Sequence, residues 1–195
     1  MSTKDRIDAA AIELFAARGI DGTAVRDIAK RAGVADGALY RHYHSKDELG
    51  RLLFARHYEE LGLLFEAVAA DRKDLAGKLA NIIRTAFGLF DRDRALFSFI
   101  LLAQHDYLPG IGELAATPVD AVQKLVAAAI ENGEILNTDP DETTAMLFGL
   151  ALQPAIFTIY GRLSPPLSKR ADKVTDACCR LIGLDPAKEG DRHDT

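Results

Sequence analysis

The 195-residue sequence predicts an all-α fold of about nine helices. Three observations carry this prediction. Apolar residues recur at intervals of three and four, the period of one helix face. β-branched residues seldom alternate with polar ones, so strand signals are scarce. Helix punctuation repeats along the chain, with Ser, Thr or Asp ahead of periodic runs and Gly behind them.

The first helix is expected over about Thr3–Arg18, capped by Ser2 or Thr3, with Asp5 near its positive end. Ile7, Ala10, Ala11, Leu14 and Phe15 form its apolar stripe, and Gly19 ends it. After the Asp21-Gly22 turn, Thr23 caps a second helix to Ala32 that buries Val25, Ile28, Ala29 and Ala32. Gly33 breaks it, and a third helix spans about Ala35–Tyr43. Ser45 and Glu48 make a capping box for a fourth helix, Lys46 to about Ala70. That helix is long enough to serve two cores and is the natural connector. A fifth follows over about Lys73–Phe90, interrupted at Asp91-Arg92-Asp93. A sixth, about Arg94–Asp106, is apolar nearly all round and should be central. Thr117-Pro118 and Asp139-Pro140 each supply a cap and an N1 proline, for a seventh helix ending at Asn132-Gly133 and an eighth ending near Tyr160. Pro154 should kink or loosen the eighth. Ser168–Ile182 is the ninth. The one plausible boundary lies inside the fourth helix, dividing residues 1–50 from 51–185, with 186–195 as a flexible polar tail.

Net charge is −5, which argues weakly against nucleic acid. The excess acid belongs to the C-terminal part, because residues 1–50 hold 8 basic and 8 acidic side chains. The adjacent Cys178 and Cys179 lack the spacing of a redox pair or zinc knuckle, and read as packing thiols, with a redox sensor as the alternative. No signal peptide and no membrane-length apolar run is evident, so a soluble cytoplasmic protein is expected. No metal-ligand spacing, phosphate loop or cofactor motif is present.

On a helical wheel of residues 34–44, Val34, Leu39 and Tyr43 turn toward the first two helices. Asp36, Gly37, Tyr40, Arg41 and His44 turn outward, flanked by Ala38 and His42. An aromatic and basic face with nothing to bury suits a partner, although an ordinary solvated face fits the wheel equally well. The stretch TAVRDIAKRAGVADGALYRHYHSKDEL, with the preceding ELFAARGIDG, resembles the helix-turn-helix of the TetR/AcrR family of bacterial transcriptional regulators. The likeness runs from Ile7 to about Leu53; beyond it only the all-helical architecture matches.

The resemblance implies an N-terminal DNA-binding domain and a C-terminal ligand-binding and dimerisation domain. It implies that Thr23 anchors a phosphate through its hydroxyl or nearby amides, and that Arg26 reaches the groove edge. Gly37 would admit the third helix to the major groove, and Ala38 would offer a methyl to thymine. Tyr40, His42 and Lys46 would hold phosphate or sugar. Arg41 would either pair with guanine or hold a phosphate. Ala35 stands where the family often has Ser or Thr, so Asp36 is expected to take over as cap. Helix-turn-helix proteins usually bind as dimers. The last two helices offer Phe148, Leu152, Ile156 and Ile159 with Val174, Cys178 and Leu181 as interface, core packing being the alternative.

The resemblance further implies a pocket for a small, unidentified apolar ligand. Phe87, Phe90, Phe97 and Phe148 are its apolar candidates, and Gln104, His105, Tyr107 and Gln153 its polar ones. The reading is a DNA-binding regulator, a repressor released from operator DNA by that ligand, and not an enzyme. A small all-helical enzyme or adaptor, with a purely structural N-terminal trio, is the alternative.

Overall fold

The computed structural model describes residues 1–72, 74–109, 111–136 and 138–184. Every regular element among them is helical: α1 (Thr3–Arg18), α2 (Val25–Ala32), a 3-10 helix η1 (Asp36–Arg41), α3 (Lys46–Ala70), α4 (Leu75–Arg92), α5 (Arg94–Tyr107), α6 (Pro118–Glu131), α7 (Pro140–Ile159), a second 3-10 helix η2 (Leu167–Arg170) and α8 (Ala171–Leu181). The expected start of the fifth helix at Lys73 and the tail at 186–195 fall outside the described residues.

Most helix ends follow the caps in the sequence. Ser2 accepts the Asp5 amide and Asp5 returns a bond to the Ser2 amide, closing a capping box. Thr117 and Asp139 cap α6 and α7, each followed by its N1 proline. Asp93, expected only to interrupt, caps α5 by accepting the Leu96 amide at 2.9 Å. Asp91 accepts the amides of Leu167 and Ser168 at the start of η2. The ninth predicted helix therefore opens as a 3-10 turn before it becomes α8. α7 continues through Pro154 to Ile159, and the Pro154 carbonyl accepts the Thr158 hydroxyl at 2.8 Å.

The described chain divides into two compact units. The first takes Met1–Glu59 together with Asp93–Ala115, so α5 joins the N-terminal helices. Phe15 on α1 meets Phe99 on α5 with ring centroids 5.9 Å apart, and Phe54 on α3 lies against Tyr58 and Tyr107. The sixth predicted helix is central as expected, but central to this unit. Its Tyr107 hydroxyl donates to Asp47 at 3.4 Å. Gly50 on α3 leaves room for that phenol, since a Cβ there would stand 2.2 Å from its oxygen.

The second unit takes Glu60–Arg92 and the described residues from Ala116 on. In it α4 packs on α8 and η2, while α7 packs on α6 and α8. Its core holds Leu79, Ile83, Phe87 and Phe90 of α4, Val126 of α6, Leu147 of α7, and Val174 and Cys178 of α8. Gly62 of α3 lies against backbone: a Cβ there would stand 2.7 Å from the Thr117 carbonyl carbon and 2.8 Å from that of Ala116. Gly62→Ala is therefore expected to destabilise the protein, visible as a lower melting temperature. The overpacking cost of about 1–3 kcal/mol exceeds the roughly 1 kcal/mol of helix propensity gained. The overpacking wins because backbone, not a flexible side chain, must give way.

Candidate nucleic-acid interface

The interface grows from α1, α2 and η1. Gly33 ends α2 with φ 66° and ψ 41°, a left-handed conformation that favours glycine. The Gly33 carbonyl accepts from Arg6 Nη1 at 3.3 Å, and the Val34 amide donates to Ala29 at 3.0 Å, so the turn is held from both sides. Leu39 and Tyr43 are buried and Val34 is half-buried, as the wheel predicts.

The recognition element is a 3-10 helix, where an α-helix was expected. Its N-cap is Ala35, and no side chain bonds the cap. Asp36 does not take over as cap; it is the first residue of η1 and is exposed. A 3-10 helix has three residues per turn, so residues three apart eclipse. Gly37 and Tyr40 thus fall into one column, and Ala38 and Arg41 into the next. Tyr40 is 59% exposed, while Arg41, His42, His44 and Arg26 are also exposed. A Cβ on Gly37 would meet nothing within 4 Å, so this glycine presents open backbone to solvent.

Two predicted contacts sit differently. Thr23 is 1% exposed, and its hydroxyl donates to the Gly19 carbonyl at 2.8 Å. It does not cap α2, whose N-cap is Ala24, and its hydroxyl is turned inward, away from solvent. Only the amides near the start of α2 remain for a phosphate there. Lys46 is half-buried and donates to the Ile20 carbonyl at 2.6 Å, so it ties the α1–α2 loop to the start of α3. Ser45 accepts the Glu48 amide as the predicted box requires, but Glu48 accepts the His44 amide in place of that of Ser45, so the box is met in one of its two bonds.

Asp8, on the buried side of α1, was not foreseen. Its carboxylate receives Lys4, Tyr43 and Arg56. Burial first, and the Asp8 carboxylate second, hold the Tyr43 phenol above its ordinary pKa, so the hydroxyl stays a donor. The only sequence signal for Asp8 is an acid set within an apolar stripe.

The neutral charge of residues 1–50 leaves little long-range attraction for DNA. Asp36→Lys, at the exposed head of η1, should tighten binding to a scrambled duplex and steepen its salt dependence by about one counterion per chain. Measurement is by fluorescence anisotropy at matched salt. Unchanged non-specific affinity would refute a repelling role for Asp36.

The remaining predicted sites lie elsewhere. Phe97, Gln104, His105 and Tyr107 belong to the first unit, whereas Phe87, Phe90, Phe148 and Gln153 belong to the second. Phe87, Phe90, Phe97 and Tyr107 are buried, Phe148 and Gln104 are half-buried, and His105 and Gln153 are exposed. Of the predicted dimer residues, Val174 and Cys178 sit inside the protomer and offer no surface to a partner. Leu181 is exposed, and Phe148, Leu152, Ile156 and Ile159 are half-buried. The open apolar face of α7 instead runs through Met146, Leu150, Phe157 and Tyr160. Cys178 and Cys179 are both buried, and burial pushes the Cys178 thiol up to about 11, which suits packing thiols. Among the described residues no group of three His, Cys, Asp or Glu gathers to hold a metal.

Two short helices around a left-handed glycine, one presenting Tyr40 and Arg41 to solvent, define a helix-turn-helix DNA-binding protein. The family described as bacterial regulatory proteins, tetR family, matches residues 7–51. A fatty acid metabolism regulator protein of Bacillus subtilis is 30% identical over 148 residues, 72% of this chain and 75% of that protein. The transcriptional repressor KstR2 of Rhodococcus jostii is 33% identical over 81 residues, 42% of this chain and 40% of that one. The fatty acid degradation regulator FadR of Bacillus halodurans shares the fold, with a TM-score of 0.80 at 22% identity, over 94% of this chain and 96% of that one. FadR of Bacillus subtilis, solved with stearoyl-CoA, gives 0.74 at 22% over 92% and 98%. The chain belongs to the TetR family. It is a DNA-binding transcriptional regulator.

Proposed function

We propose that the protein is a homodimeric cytoplasmic repressor, released from its operator by a fatty-acyl thioester. The observation that carries the DNA-reading part is the exposed Tyr40–Arg41 face standing on the buried Leu39 and Tyr43. Arg26, Tyr40 and His42 hold phosphate or sugar, Arg41 reads a base edge, and Gly37 with Ala38 lets the backbone approach. Lys46, which has further N–H groups beyond the one given to Ile20, supports a phosphate from the start of α3.

Dimerisation follows from α7, which has two apolar faces. Thr144, Leu147, Ala155 and Thr158 are buried, whereas Met146, Leu150, Phe157 and Tyr160 recur at helical spacing on the open side. Contrary to the sequence reading, α7 is long and apolar enough to cross a membrane, by length and composition alone. A matching helix of a second copy covers such a stripe equally well, and family membership favours that partner. Ligand binding then shifts α3, whose residues 46–59 belong to one compact unit and 60–70 to the other. Only a difference in ligand affinity between the operator-bound and released states can drive this.

The ligand class rests on the 30% identical relative, named for fatty acid metabolism, and on the apolar supply of the second unit. Binding rather than catalysis is the reading, because His105 and Asp106 are both exposed and belong to no buried catalytic array. The test uses a duplex recovered by the protein from a random-sequence library. Stearoyl-CoA should release it, whereas coenzyme A alone should not. Retention of the duplex at saturating stearoyl-CoA would overturn the ligand assignment, and recovery of no preferred sequence would overturn the regulator reading.

A further inference from the structure

Asp8 is 5% exposed, and an acid at that depth requires partners. It has three, from three places in the fold. Oδ1 accepts the Tyr43 hydroxyl, and Oδ2 accepts Lys4 Nζ at 2.9 Å and both terminal nitrogens of Arg56 at 3.3 Å. Lys4 lies one turn before Asp8 on α1, and its ammonium also stands 5.2 Å from the centre of the Tyr43 ring. Tyr43 follows the end of η1 by two residues, and Arg56 lies in the third turn of α3. One carboxylate therefore joins α1, the exit of the recognition element and α3.

We propose that Asp8 is a positioning residue for DNA reading, which seats η1 against α1 and α3 through Tyr43 and Arg56. This rests on the reading of η1 as the recognition element. Tyr43 carries no outward-facing group, so it acts on Tyr40 and Arg41 through the backbone between them. Because Arg56 shares the carboxylate with Tyr43, a displacement of α3 is felt where η1 ends. Arg56 is therefore the arm by which the state of α3 reaches the recognition element. Lys4 neutralises Asp8 when Arg56 is absent, so removing Arg56 does not strand a buried charge.

The variants are Tyr43→Phe, Arg56→Gln, their double, and Asp8→Asn. Each is measured against the selected duplex and a scrambled duplex of equal composition at one salt concentration, with thermal melts alongside. Tyr43→Phe and Arg56→Gln should each lower the ratio of specific to non-specific affinity by about tenfold, the scale of one hydrogen bond to a charged group. Non-specific affinity should not change. The double variant should lose little more than either single one, since both act through one carboxylate. Arg56→Lys should restore part of the Arg56→Gln loss. A falling melting temperature with an unchanged affinity ratio in Tyr43→Phe and Arg56→Gln would make the cluster purely structural and overturn the proposal. Strict additivity would overturn the shared path. Asp8→Asn adds the direct case, and the other variants decide the matter if it does not fold. Failure of the wild type to prefer any sequence would overturn the regulator reading instead, and this inference with it.

Discussion

Tyr40→Ala combined with Arg41→Ala should abolish operator binding while leaving the fold intact. Both side chains are exposed, so their loss should cost within about 0.5 kcal/mol of stability. On DNA, a bidentate arginine–guanine pair discriminates by about 1–3 kcal/mol, and a dimer loses it twice. With the Tyr40 contacts gone as well, the operator affinity should fall on the order of a hundredfold or more. Anisotropy titration of the selected duplex measures the loss, and a thermal melt by circular dichroism checks the fold. Arg41→Ala alone separates its two roles. A base reader relaxes specificity at one position with the salt slope unchanged, whereas a phosphate contact flattens the slope by about one per chain. Full retention by the double variant would remove η1 as the reading element.

The second large effect concerns α7. Leu150→Glu with Phe157→Glu places two charges on its open apolar stripe and should convert the protein to a folded monomer. Burying a Leu or Phe contributes about 1.5–3 kcal/mol, and a two-fold interface counts each position twice. An unpaired buried carboxylate adds several kcal/mol more. Dimer association should therefore weaken by more than about a hundredfold, and sedimentation velocity across a concentration series reads it directly. Operator binding should fall with it, because one half-site is too small to hold the protein alone. A double variant that remains dimeric would place the interface elsewhere. Neither residue is in the protomer's core, so the fold should survive.

Much of the helical layout was legible because it depends on neighbours in sequence. Thr117 with Pro118 and Asp139 with Pro140 mark helix starts by local hydrogen bonds and stand as read, and of the two caps open for α1 the structure takes Ser2. Gly33 is legible for the same reason, since its left-handed backbone is a local demand. The outward set of Tyr40, Arg41 and His44 followed from phase alone, given Leu39 and Tyr43 inside. Thr23 misled because good caps and buried back-bonding threonines share one residue type. Only the packing of α1 and its loop turned the hydroxyl inward.

What the sequence by itself determined was the helical class, most helix ends, the family likeness and the face of residues 36–42 that meets solvent. These rest on interactions within about four residues, which spacing encodes. What only the tertiary structure decided was non-local. Tyr43 lies 35 residues from Asp8 and Arg56 lies 48, so no periodicity could join them. α5 is apolar nearly all round, and such a helix does not say which core it will enter; its contacts with α1 assign it to the N-terminal unit. α7 has apolar residues on both faces, and only the packing of α6 and α8 shows which face is left open. The 3-10 character of η1 belongs to the same group. Six residues held at both ends by buried Leu39, Tyr43 and the Gly33 turn take their pitch from those anchors rather than from helix propensity.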